Sequence, residues 1–237
     1  MILSELIQRS PVRIFEQSIH GGLKAGEIGI IASQAGIGKT SVLVQLALDK
    51  LLQEKKVIHV SFTPHTHHVL AWYEDIFNEF INKKNLENAG EVKNDLVKNR
   101  VLMNFNQDGM SRDMIAKGLR AMIVEGGFAA DAIIVDGLDF SRLLASDSSH
   151  DRIACVKELA QELRFSVWYS CTLGDDVRLE KSSAPPELKT IADLIDIIIM
   201  LDPKPDHIEL SVAKDRDTHD TKSMAMQLDP KTLLIRE

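Results

Sequence analysis

The stretch "EIGIIASQAGIGKTSVLVQLALDK", residues 27–50, decides the fold. It opens with a short apolar, β-branched run, the composition of a strand buried on both faces. From Lys39 onward, apolar residues recur at helical spacing, which predicts a helix over 39–54. Between the two lies "SQAGIGKTS", residues 33–41, whose glycines mark a turn. A strand that enters a helix through glycines, with Lys-Thr at the helix start, gathers backbone N–H donors, a cation and a hydroxyl around one point. A phosphate chain carrying Mg²⁺ needs these three things.

Outward from that turn, Gly36 and Gly38 fit the close backbone approach to phosphate, Lys39 the compensating charge, and Thr40 the hydroxyl for Mg²⁺. Ser33, Gln34, Ala35, Ile37 and Ser41 complete the expected cradle, that of a P-loop, although the consensus starts with glycine where this chain has Ser33. A P-loop needs a carboxylate from the end of another buried strand, to hold the water shell of the metal. "AIIVDGLDF", residues 132–140, supplies Asp136 at that place. Three residues on, Asp139 reads as a cap or loop residue, with a catalytic role as the alternative.

The rest of the chain suits that centre. Strand runs are expected at 27–33, 56–62, 100–105, 131–136, 165–171, 195–201, 207–214 and 223–229, and helices at 39–54, 67–84, 111–125 and 149–163. Their alternation predicts an α/β fold with a mainly parallel twisted sheet flanked by helices, and the last two strands read as a C-terminal β-hairpin. One domain is expected over 1–237, with 1–20 as a lead-in and 180–189 as an internal loop. At 44% apolar and 27% charged, the 237 residues can bury a full core, and a net charge of −7 argues against a generally basic, polyanion-binding surface. Cys155 and Cys171 lie in no metal or disulfide spacing, and the apolar runs are too short to span a bilayer. The expectation is a cytoplasmic protein with reduced thiols and no membrane partner.

Beyond local motifs, "IFEQSIHGGLKAGEIGIIASQAGIGKTS" (14–41) resembles the entry to the RecA/KaiC/DnaB class of ATPases through Gly21, Gly22, Leu23 and Gly26. "IADLIDIIIMLD" (191–202) and "IELSVAKDRDTHDTKSMAMQLDPKTLLI" (208–235) are similar to the strand and closing hairpin of that class, so the resemblance covers residues 10–235 in order. It implies a RecA-like fold that binds ATP with Mg²⁺, in a homo-oligomeric ring or filament. It also implies that Lys214 and Arg216 are groups that act on the neighbouring subunit's nucleotide.

The resemblance sharpens one more stretch, "HVSFTPHTHHV", residues 59–69. In these families the second core strand ends in a Glu that orients the attacking water, and here Thr63 stands at that position. A positioned base contributes about 10² to 10⁴ in rate, so slow hydrolysis is expected even where nucleotide binds well. His65 is the candidate substitute, while Cys171 and Thr172 stand where relatives place a polar phosphate sensor. His65, His67 and His68 lack the further ligands that zinc wants, and read as surface residues. DNA is the rival partner, but the loops 139–152 and 174–189 carry more acids than bases and no interleaved aromatics. A regulatory or signalling nucleotide-binding protein is the leading expectation, with a DNA-processing ATPase and an interaction module with a vestigial P-loop as alternatives. The protein partner is not legible.

Overall fold

The computed structural model describes residues 10–62, 66–84, 89–108, 113–145, 148–174, 185–218 and 222–236. In chain order the elements are α1 (Pro11–Ser18), β1 (Ile28–Ser33), α2 (Lys39–Leu52), β2 (Val57–Ser61), α3 (Thr66–Lys84), α4 (Ala89–Lys98) and β3 (Arg100–Asn104). There follow α5 (Met114–Arg120, continued by a π turn over Ala121–Glu125), β4 (Ala132–Asp136), α6 (Phe140–Leu144), α7 (Ser149–Leu163) and β5 (Ser166–Thr172). A 3₁₀ helix (Pro186–Ile191) leads into β6 (Ile197–Pro203), β7 (Ile208–Asp215), β8 (Lys222–Leu228) and β9 (Ile235–Arg236).

The described strands form one sheet in the order β3-β2-β4-β5-β1-β6-β7-β8-β9. From β3 to β6 every pairing is parallel; from β6 to β9 every pairing is antiparallel. The expected α/β architecture with a mostly parallel sheet and antiparallel C-terminal strands is therefore present, and the antiparallel part extends beyond one hairpin. β1, β2 and β4 are buried along their whole length, as strands covered on both faces must be.

Alternation within the strands divides the core into two layers. Ile31, Ile134, Trp168 and Ile199 face α1 to α4; Ile30, Ile133, Tyr169 and Ile198 face α5, α6, α7 and the 3₁₀ helix. Each fully buried isoleucine of this kind contributes roughly 1.5–3 kcal/mol relative to exposure, so the sheet position of β1 is strongly determined.

α1, α4, α6, the 3₁₀ helix and β9 have no counterpart among the expected elements. The loop expected at 180–189 ends inside the 3₁₀ helix, and residues 175–184 lie outside the described residues. Among the described residues no helix is long and apolar enough to cross a membrane.

Register fixes what meets at the functional edge. Ser33 of β1 is level with Thr172 of β5, and Ser61 of β2 is level with both Asp136 of β4 and Asn104 of β3. The C-terminal ends of these parallel strands finish along one sheet edge, the place where open α/β sheets hold ligands.

Candidate functional site

The turn after β1 adopts the conformation that its glycines allow. Gly36 has φ 76° and Gly38 φ 111°, both in the left-handed region that favours glycine. A Cβ on Gly36 would meet nothing within 4 Å, whereas one on Gly38 would fall 2.7 Å from Leu228 Cδ2. The first position is open and the second is packed from behind.

Lys39, the first residue of α2, folds its side chain back over this turn. Its Nζ donates to Gln34 O at 2.7 Å, Ser33 O at 3.1 Å and Ser33 Oγ at 3.2 Å. Burial lowers its pKa, while the neighbouring Cys171 and Asp136 oppose that shift. Ser33 explains its own departure from the consensus, because its hydroxyl also donates to Gln34 O at 3.0 Å and so braces the turn.

The carboxylate expected from another strand lies beside this turn. Thr40 Oγ1 donates to Asp136 Oδ2 at 2.8 Å, joining the start of α2 to the end of β4 across the intervening strand β5. Asp136 is buried, and the residue after it is held on both sides: Gly137 N donates to Ser170 Oγ at 2.9 Å, and Gln107 Nε2 donates to Gly137 O at 3.0 Å. Gln107 Oε1 also accepts from Asp139 N at 2.8 Å. Asp139 itself caps α6, its Oδ1 accepting from Arg142 N at 3.0 Å and Ser141 Oγ at 2.6 Å. Those bonds hold its carboxyl below the usual range, and they assign it the capping role.

An oxygen-only pair of hydroxyl and carboxylate at a helix N-terminus suits a hard cation that takes its other ligands from phosphate and water. Thr40 and Asp136 fit Mg²⁺ in this sense. Among the described residues no group of three or more His, Cys, Asp or Glu could hold a metal by itself. His67 and His68 are exposed at the start of α3; Thr63, Pro64 and His65 lie outside the described residues, so the expected site of the missing base falls there.

Behind Asp136 sits a buried histidine. His59 of β2 lies with Nδ1 3.1 Å from Tyr73 Oη, and its Nε2 is buried with no hydrogen-bond partner among the described residues. Burial lowers its pKa to about 4, opposed by the charge of Asp136 and assisted by that of Arg100. Arg100 in turn stacks over the Tyr73 ring at 4.1 Å from its centroid. At neutral pH His59 is uncharged.

Cys171, near the end of β5, is buried, and its thiol is pushed up to about 12 by burial, with Lys39 opposing and Glu187 adding to the rise. Glu187 of the 3₁₀ helix keeps Oε2 buried and without a partner among the described residues. Its place within an apparent loop hid it from the sequence.

Lys214 and Arg216 stand elsewhere. Lys214 is level with Ile198 near the start of β6, and Arg216 N donates to Asp196 O just before that strand. Along the strand direction Arg216 lies about five residues of β1 from the turn, on the order of 15 Å, and Lys214, level with Ile30 through Ile198, about three residues, on the order of 10 Å. Lys214 Nζ donates to Ala192 O and Ile195 O, both at 2.6 Å, and burial lowers its pKa. Arg216 grips Glu27 with two bonds of 2.9 and 2.8 Å, Asp215 Oδ1 at 2.6 Å and Gly22 O at 2.9 Å. Both cations are engaged within their own chain, so any action on a neighbouring subunit requires these bonds to break.

No protein-family model matches the chain, and no curated protein matches it.

Proposed function

We propose that this chain binds ATP with Mg²⁺ as a RecA/KaiC-like P-loop protein of the cytoplasm, hydrolyses it slowly, and serves a regulatory or signalling role. One observation carries the proposal: Thr40 and Asp136, from separate elements, meet at 2.8 Å beside Lys39. That convergence combines a cation, a hydroxyl, a carboxylate and a helix N-terminus, the set that phosphoryl groups need.

In this reading the N–H groups at the start of α2 receive phosphate oxygens, since the first amides of a helix lack intrahelical acceptors. Lys39 exchanges its bonds to Ser33 and Gln34 oxygens for bonds to the terminal phosphates. Thr40 would ligate Mg²⁺ and Asp136 would hold its water shell. The metal, when bound, neutralises charge on the phosphates. Slow turnover follows from Thr63 standing where the resembling families carry a carboxylate. Self-association in a ring or filament rests on the resemblance, and the internal bonds of Lys214 and Arg216 favour a structural role for those residues in this chain.

Thermal denaturation tests the proposal. A ligand that binds only the native state adds about 2.7 kcal/mol at a hundredfold excess over Kd, a rise of roughly 5–10 °C for a chain of this size. Mg·ATP is expected to raise the melting temperature of the wild type, and the rise is expected to shrink in Asp136→Asn. No rise in the wild type at millimolar Mg·ATP would favour an interaction module whose turn no longer takes nucleotide.

A further inference from the structure

The back of the phosphate-binding turn is held by the end of the chain. Gln45, fully buried on α2, donates from Nε2 to Leu233 O at 2.9 Å, while its Oε1 accepts from Ile235 N at 2.8 Å. The same amide donates to Ser41 O and Ser41 Oγ, each at 3.2 Å, and Ser41 Oγ donates in turn to Leu233 O. Leu233 has φ 55°, a conformation held by its N–H donating to Asp229 O at 2.7 Å and by Asp229 N donating to Leu234 O at 3.0 Å. Leu228, at the end of β8, fills the space beside Gly38. The segment 228–235 thus touches α2 at Gly38, Ser41 and Gln45, on either side of Lys39 and Thr40.

We infer that Gln45 is a positioning residue for the phosphate-binding turn, and that the C-terminal segment 229–236 is the surface against which it holds Lys39 and Thr40 in place. The inference rests on the nucleotide reading above and adds to it a coupling between the site and the chain's end. Lifting the segment away takes Leu233 O and Ile235 N from the Gln45 amide and Leu233 O from the Ser41 hydroxyl, so the bonds that brace the first turn of α2 from behind are lost together. By linkage, whatever the segment contributes to nucleotide affinity, bound nucleotide returns as protection of the segment.

Two measurements on the full chain test this: Mg·ATP affinity of the wild type, Gln45→Met and Gln45→Glu, and amide hydrogen exchange of 229–236 in the wild type with and without Mg·ATP. Gln45→Met, similar in volume and lacking the amide, is expected to weaken Mg·ATP about 5- to 100-fold. Gln45→Glu keeps the acceptor for Ile235 N but turns a buried carboxylate oxygen toward Leu233 O, and is expected to weaken binding at least as much as Gln45→Met. In the wild type, Mg·ATP is expected to slow exchange at Ile235 beyond any slowing in α7, which touches neither group. Unchanged affinity in folded Gln45→Met, or exchange in 229–236 that ignores saturating Mg·ATP, overturns the inference while leaving nucleotide binding standing. A wild type that binds no Mg·ATP overturns both.

Discussion

Lys39, Thr40 and Asp136 were legible at once because their chemistry is spelled by local spacing: a cation and hydroxyl adjacent at a helix start, and an acid closing an apolar strand. Gln45 was not, since its partner Leu233 lies 188 residues away; its only signal was one amide within the apolar run "VLVQLAL". His59 gives a prediction at this scale. Its pKa is depressed from 6.5 to about 4 by burial, so between those values the unfolded chain takes up a proton that the native chain refuses. The stability that neutral His59 contributes is complete above 6.5 and is lost as pH falls toward about 4. Chemical denaturation at pH 7 and pH 5 is expected to show the wild type losing about 2 kcal/mol more than His59→Gln over that interval; identical losses would show that His59 does not titrate this way. Thr63 gives another. Thr63→Glu is expected to raise single-turnover ATP hydrolysis by about tenfold or more with little change in affinity, short of the roughly 10² to 10⁴ that a well-positioned base contributes. A wild type already turning over at about 10 per second, the middle of the range for enzymes, would mean that the base was never missing.

Among the elements, the strands other than β9 were readable, most clearly β1, β2 and β4, whose burial on both faces leaves continuous apolar runs, and their boundaries fall within one or two residues of expectation. α1, α4 and α6 were not readable, for different reasons. α1 buries only Val12, Phe15 and Glu16, α6 is five residues long, and among the described side chains of α4 Leu96 alone lies in the buried core. Such pieces are fastened by polar contacts instead. Arg13 donates to buried Asp49 at 2.7 Å, tying α1 to α2, and Lys50 bonds Glu16 across the same seam. Arg216 fastens the turn between α1 and β1 through Glu27 and Gly22 O. The C-terminal hairpin was expected from sequence; the internal partners of Lys214 and Arg216, set by tertiary approach, were not. Arg216→Ala is expected to lower unfolding free energy by about 1–3 kcal/mol and to leave the sedimentation behaviour of the full chain with Mg·ATP unchanged. A folded variant of normal stability that loses a nucleotide-dependent assembly would return Arg216 to the interface.

For the whole molecule, the sheet order matters more than its size. β1 lies between β5 and β6, so the glycine turn after it borders the strand that carries Cys171 on one side and the antiparallel C-terminal strands on the other. The parallel part brings Thr40 and Asp136 together; the antiparallel part reaches around to Gly38 and Gln45. Site and scaffold are thereby one cooperative unit, and the net charge of −7 leaves the local cation and helix start as the source of attraction for a polyphosphate. The central claim, that this turn binds nucleotide through Lys39 and a metal held by Thr40 and Asp136, is tested most directly by equilibrium titration of a fluorescent ATP analogue into the wild type and into Lys39→Ala, each with and without Mg²⁺. The account predicts saturable, Mg²⁺-dependent binding by the wild type and its loss in a Lys39→Ala variant that keeps its fold by circular dichroism. Wild-type affinity in folded Lys39→Ala, or no binding by the wild type in the presence of Mg²⁺, would contradict it.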